Sequence, residues 1–573
     1  MAQRRWNAPL NEDRERFHAI RTCAALIAFL WIAHLTWAPS AAGEDILKPV
    51  AEEIRYEATL AEDAPVGRPL PLAATWNSGL LPDTFTPDYQ LGLVEAGHYL
   101  LPTFQLPGHD KATKEYFEAA IKKAASLKLP FTLVSTQWER LLTDDDRFFK
   151  LPPEKNPNVV TPQGEILQKV SPFGPVEPWT EVGKIRVSDP LLSQIAQWYP
   201  DPPMVLFLSN NEHAKLRWNE AESSKRYLDA YGKGKSDEFK RKVVGDGWIE
   251  RYRALIQGMR DNLPESWKKT KTLFEGYNAF GCDAFGRWGG WIDYSLYIPG
   301  RFEPWPLAWE GASPSYYLYD WDPSTDFTVW SPQVRAMNFV FMLEEARAMN
   351  PQLWFELSIW DGYEPDKDTD KRKYYESLGQ TFSPERYGGY AQFGMWLLRP
   401  RVVREFRGWT QKVAQDTEPY FLSLLEAVDR VHKHSVLRRF WRQGELVANA
   451  AHAHPYQANI PDEYKSKNRW FLLDTNLDPK WPWSLDTEIP VFSLALVIGE
   501  KPNRQWLVYA FSPVKAREKV QVTLPDYKAV TLSASPKGDF FWVREKENDV
   551  QKLDVDQFPP APPQNLQLQQ SAP

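Results

Sequence analysis

Unbroken apolar runs recur along this chain from Pro69 onward, and they constrain its fold more than any other feature. They are Leu70–Trp76, His98–Phe104, Phe131–Trp138, Met204–Ser209, Thr272–Tyr277, Trp291–Tyr297, Leu353–Ile359 and Tyr390–Leu397. A run such as Met-Val-Leu-Phe-Leu-Ser does not alternate with polar residues, so a strand built from it must be covered on both faces. Stripes at helical spacing lie between the runs: Phe117, Ala120, Ile121, Ala124 and Leu127 form one. Trp248, Tyr252, Leu255, Ile256 and Met259 form another, within a long helix expected near Glu238–Asn262. Doubly buried strands joined by amphipathic helices make a parallel sheet. Eight of them predict an α/β fold, a closed (β/α)8 TIM barrel with long βα insertions rather than an open doubly wound sheet. A helix over Asp416–His434 would close it.

The remaining chain divides around this barrel, expected over residues 69–440. Arg4, Arg5, Arg14, Arg16 and Arg21 precede an apolar stretch from Cys23 to Leu35, and Ser40-Ala41-Ala42 offers small residues for cleavage before Gly43. Residues 1–42 therefore read as a signal peptide, with an uncleaved membrane anchor as the alternative, because the stretch is short for a span. The expected location is secreted or periplasmic. Only Cys282 would remain after cleavage, so no internal disulfide is available. Residues 43–68 form a lead-in. After Arg442, the short β-type runs Val491–Ile498, Gln505–Phe511, Lys519–Leu524 and Ala529–Ser533 predict a C-terminal antiparallel β-sandwich over residues 441–550. The Pro- and Gln-rich residues 551–573 read as a disordered tail.

In such a barrel, reactive groups sit at the carboxyl ends of the strands. Glu212 follows the fourth run, and Glu356 lies in the terminal part of the seventh. A carboxylate placed in an apolar run is costly and usually has a task. Strands four and seven face each other across a barrel mouth, so the two could act on one bond. Glycoside hydrolysis needs such a pair, one carboxyl protonated and one ionised. The 26 Trp, 24 Tyr and 30 Phe exceed what a core alone needs, and flat rings of this kind stack on sugars. Gln137 and Trp138 at the end of strand three, Trp76 at the end of strand one and Trp360 after strand seven are candidate substrate contacts. So are Trp305 and Trp309, in a Pro-rich insertion expected after strand six with Tyr316, Tyr317, Tyr319, Trp321 and Trp330.

Asn211-Glu212 after strand four, followed by a lone Glu356 on strand seven, resembles clan A of the retaining glycoside hydrolases. Placement carries this resemblance over about residues 69–434 more than continuous similarity does, with agarase-type polysaccharide hydrolases as plausible neighbours. It implies Glu212 as acid/base, Glu356 as nucleophile and Asn211 as partner of the substrate 2-hydroxyl. It also implies that Tyr297, ending strand six, contacts the nucleophile, and that Trp396, on strand eight, floors the central sugar site. Two features depart from the clan. His213 stands where Pro often follows Asn-Glu, making His213 a candidate substrate contact, and no arginine near strand two can hold the nucleophile, His98 being a weak substitute.

Competing carboxylates are Glu139, Glu275, Asp293 and Asp361, each suited also to binding a sugar hydroxyl or pairing with a base. An inverting hydrolase with Asp361 or Glu139 as base is one rival reading, and a non-catalytic glycan-binding barrel is another. His432/His434 and His452/His454 lack a carboxylate or cysteine set at ligand spacing, so no metal is expected, and no cofactor. Arg399, Arg401, Arg404 and Arg407 read as a solvated basic face. A net charge of −7 argues against a nucleic-acid partner, leaving a poly- or oligosaccharide as the expected one.

Overall fold

The computed structural model describes residues 41–76, 87–105, 114–135, 138–210, 213–277, 305–317, 343, 346–361, 382–406, 414–447, 491–512 and 515–556. Eight parallel positions form its main sheet. They are β1 (Leu72–Thr75), β2 (Thr103–Gln105), β3 (Phe131–Ser135), β4 (Met204–Ser209), β5 (Lys271–Tyr277), β6 in two pieces (Gly311–Ser313 and Ser315–Tyr317), β7 (Trp354–Trp360) and β8 (Val402–Glu405). The hydrogen-bonded order runs β1-β8-β7-β6-β5-β4-β3-β2. A parallel bridge from Ala73 to Leu100, with Ala73 N–H donating to Tyr99 O and Leu101 N–H to Ala73 O, joins β1 to the segment entering β2. The sheet thus closes into the expected barrel.

Burial explains why these runs are strands. All six residues of β4 and all seven of β7 are buried. Phe355, Leu357 and Ile359 face the surrounding helices as part of the main core, while Glu356, Ser358 and Trp360 alternate into the barrel. The long helix after β4 spans Asp237–Asp261, with Ser236 capping it by accepting from Phe239 N–H. The barrel-closing helix spans Ala414–Lys433.

Two strand positions differ from expectation. Tyr390–Leu397 is not the eighth strand but part of a helix, Pro384–Leu398. Ser383 caps it by accepting from Arg386 N–H, Pro384 occupies the first turn, and Arg399 ends it in a left-handed turn. This helix is buried along nearly its whole length between barrel and C-terminal sheet, so it carries an apolar surface as continuous as a strand's. The eighth strand is Val402–Glu405, in the segment read as a solvated basic face. The sixth position is filled by residues 311–317, whereas Trp291–Tyr297 lies outside the described residues. Trp305 and Trp309 therefore precede strand six rather than follow it, and Tyr316 and Tyr317 are part of it.

Beyond the barrel, a five-stranded antiparallel sheet packs against a two-stranded one. In the larger sheet, Phe492, Leu494 and Leu496 belong to the barrel core, while Ala495 belongs to a second core with Val520, Val522, Val530 and Leu532 of the small sheet. The alternation glues the larger sheet to the barrel on one face and completes a β-sandwich on the other. The structure adds Asp539–Arg544 and Asp549–Lys552 to the expected strands.

Candidate active site

The inside of the barrel is layered. Trp76, Val134, Leu208, Tyr277, Trp360 and Phe406, from positions one, three, four, five, seven and eight, form one apolar cluster at the carboxyl end. Trp76 meets Tyr277 edge-on at 4.8 Å and Phe406 at 6.3 Å, and Trp360 meets Phe406 at 5.7 Å. Trp76 is the most exposed of the six at 8%. Trp76 Nε1 donates to Ser358 Oγ at 2.7 Å, so the ring is pinned above strand seven. Tyr277 OH pairs with Ser315 Oγ at 2.5 Å.

A charged layer lies beneath this roof. Glu356 and Arg404 are both wholly buried. Arg404 Nε donates to Glu356 Oε2 at 2.7 Å and Nη2 to Oε1 at 2.9 Å, a bidentate pair. The same guanidinium donates to Thr75 O at 2.7 Å, Thr103 Oγ1 at 2.9 Å and Thr132 Oγ1 at 3.3 Å. One side chain from β8 thereby reaches β7, β1, β2 and β3. The arginine missing from strand two is thus supplied from strand eight, and Arg404 is no solvated residue. Its signal was the β-branched pair Val402-Val403 after Pro400, which marks a strand whose alternate residues turn inward. His98, the weak substitute, precedes β2 and instead pairs with Asp429, Nδ1 to Oδ2 at 2.5 Å.

Glu356 is the third of seven residues in β7, short of the terminal part where it was expected. The strand runs on through Trp360 because the second piece of β6 pairs with it, Ser315 against Ser358 and Tyr317 against Trp360. Asp361, the first residue past the strand, is buried at the same end as the aromatic layer. Glu275 on β5 is also wholly buried and electrostatically close to Glu356. Burial first, and then the Glu356 charge, push its carboxyl well above the ordinary range, with Arg404 opposing.

A second buried ion pair lies outside the barrel, behind the turns that follow β3 and β4. Lys215 Nζ is 2.8 Å from Glu139 Oε1, and both side chains are fully buried. Tyr252 OH donates to the same oxygen at 3.2 Å. Burial alone would raise the Glu139 carboxyl, but the Lys215 charge and hydrogen bond, helped by His213, hold it below the usual carboxylate range. His213 pairs through Nε2 with Thr143 Oγ1 at 2.7 Å, and burial lowers the affinity of its ring for a proton. This cluster anchors the residues directly after Glu212.

The expected site residues therefore sort by position. Glu356, Trp76 and Trp360 meet inside the barrel. Trp138 and Trp309 do not join them: both are buried outside the sheet, 5.7 Å apart, with Trp309 also against Tyr252 at 4.9 Å. Trp396, expected as the floor of a sugar site, lies in the Pro384–Leu398 helix and packs on Trp441 at 5.1 Å and Phe540 at 5.5 Å. It belongs to the seam between barrel and sandwich. Glu212, Asn211, Gln137, Tyr297 and Asp293 lie outside the described residues, and nothing of the Trp305 side chain is described.

No family model matches the chain, and no curated protein matches its sequence. Among solved structures, a GH36 alpha-galactosidase of Geobacillus stearothermophilus in complex with raffinose is similar at TM-score 0.40 and 11% identity, over 89% of this chain and 59% of that one. The same enzyme with 1-deoxygalactonojirimycin gives 0.39 and 10% over the same shares. AmyP in complex with maltose gives 0.28 and 10%, over 86% of this chain and 89% of that one. This chain spans 59% of the galactosidase's length. At these scores the barrel rests on its own strand order.

Proposed function

We propose that this chain is a glycoside hydrolase that acts on a poly- or oligosaccharide at the carboxyl end of its barrel, with retention of configuration. The observation that carries the reading is Glu356 on strand seven, an anion gripped through both oxygens by Arg404 beneath an aromatic layer. Glu212, three residues past the end of strand four, is its acid/base partner. Glu212 gives its proton to the glycosidic oxygen as a Glu356 oxygen attacks the anomeric carbon; the glycosidic bond breaks and a glycosyl ester forms. Arg404 keeps its hold on the ester carbonyl oxygen. Glu212 then takes a proton from water, the water oxygen attacks the anomeric carbon, and the ester breaks to restore both carboxyls.

One observation favours a second reading. The aromatic roof covers Glu356, whereas Asp361 stands at the strand's end, so Asp361 could serve as the base of an inverting reaction and leave Glu356–Arg404 a structural pair. Product configuration decides. NMR of the first-formed sugar, after a polysaccharide panel has identified a substrate, is expected to show the anomer of the substrate; the opposite anomer would sink the retaining reading. On the same footing we propose that residues 1–42 direct export. A mature protein from the medium or periplasm is expected to start at Gly43, and an intact start at Met1 in the cytoplasm would refute this.

A further inference from the structure

Among the described residues, the charged layer holds two carboxyls and one cation. Arg404 is committed to Glu356 through two hydrogen bonds. Glu275 is completely buried, and among the described residues no N–H or hydroxyl donates to either of its oxygens; its hydrogen-bonding neighbour is the Glu356 carboxyl. In the sheet register it lies between Leu208 of β4 and Gly311 of β6, so no cation comes from either neighbouring strand. Tyr277, two residues along β5, spends its hydroxyl on Ser315. Among the described residues, Glu356 and Arg404 are the charged groups that act on Glu275. An ionised carboxylate buried without a partner costs several kcal/mol, on the order of what a whole domain has to spare, so such a group takes up a proton.

Space is kept for it. Gly311 stands between Glu275 and Trp354 in the register, and a Cβ there would fall 2.9 Å from Trp354 O and 3.3 Å from Glu275 Cβ. Strand six thus places no side chain between them at this level, and Glu275 comes within hydrogen-bonding reach of Glu356. A neutral carboxyl has one O–H to donate, and Glu356 is the anion beside it.

We propose that Glu275 is a positioning residue, a neutral buried acid that turns its O–H toward Glu356 so that Arg404 balances a single anion. Its presence helps fix the orientation of Glu356 alongside Arg404 and keeps the described charges of the layer at zero net charge. The role in hydrolysis rests on the function proposed above; the charge state does not.

Two measurements on the full chain separate these. Folding takes up a proton at a neutral buried acid whose unfolded form is ionised, so stability from this site falls as pH rises above the ordinary carboxyl range. Glu275→Gln keeps the shape and removes the titration. Its melting temperature minus that of the wild type should therefore grow as pH rises above the ordinary carboxyl range. A difference that stays flat with pH overturns the neutral acid. On the identified substrate, Glu275→Gln should keep kcat within a few-fold of wild type. Glu275→Ala should lose about tenfold or more in kcat with little change in KM. Equal kcat losses in the two variants overturn the positioning role. A wild type that cleaves nothing in the panel, while the melting difference still grows, defeats the proposed function and leaves the neutral acid standing.

Discussion

Glu139 and Glu275 are both wholly buried glutamates, yet their neighbours shift their carboxyls in opposite directions from the ordinary range. Glu139 lies outside the sheet with Lys215 at 2.8 Å and Tyr252 donating to the same oxygen. Glu275 lies inside the barrel beside a second carboxyl whose cation is already engaged. Burial acts alike on both, so the neighbour decides the charge. A buried acid with its own cation is an anchor; one beside another acid is a proton holder, and paired carboxyls held in different charge states are what acid/base chemistry uses. The contrast points to the barrel interior, rather than the turn after strand three, as the place to look for reactivity.

The largest effect should come from removing the shared cation. Arg404→Met leaves Glu356 unpaired beside Glu275, and urea unfolding should show a loss of about 3–5 kcal/mol. A loss under about 1 kcal/mol would mean that the bidentate pair does not hold the layer together. Lys215→Met is the matching change outside the sheet. Arg404 also ties Thr75, Thr103 and Thr132 together, so the loss from Lys215→Met at neutral pH should be smaller, about 2–3 kcal/mol. Its pH course should oppose that of Glu275. Glu139 is held below the ordinary range, so the wild type's advantage is complete above the unfolded carboxyl pKa and disappears as the medium is acidified. If both sites follow the same pH trend, the comparison between them fails. The smallest effect is expected from Gly311→Ala, whose added methyl must push on Trp354 and Glu275 for about 1–3 kcal/mol. A neutral result there would mean that the space beside Glu275 is not tightly set.

Strand existence was legible where periodicity was unambiguous. Met204–Ser209 and Leu353–Ile359 read as doubly buried strands and lie within one residue of the observed ones. Tyr390–Leu397 misled because the helix there is buried on nearly every side, which erases the polar face that marks helical spacing. The better signal was Ser383-Pro384-Glu385, a helix start that apolar continuity overshadowed. Arg404 was missed for a related reason. Four arginines in nine residues look like a surface, and only the strand assignment shows that one of them turns into the barrel. The tryptophans were harder still. Trp138, Trp309 and Trp396 have the composition of a sugar platform and the position of core residues, and no spacing rule separates the two uses before the packing is known.

The central claim is that Glu356 forms a covalent bond to the sugar, and trapping tests it in the unmodified protein. An activated 2-fluoro glycoside of the sugar identified by the panel slows breakdown of the ester more than its formation, so the labelled protein can be digested and sequenced by mass spectrometry. The label is expected on Glu356. A label on Asp361 or Glu275, or turnover with inversion and no label at all, would contradict the account.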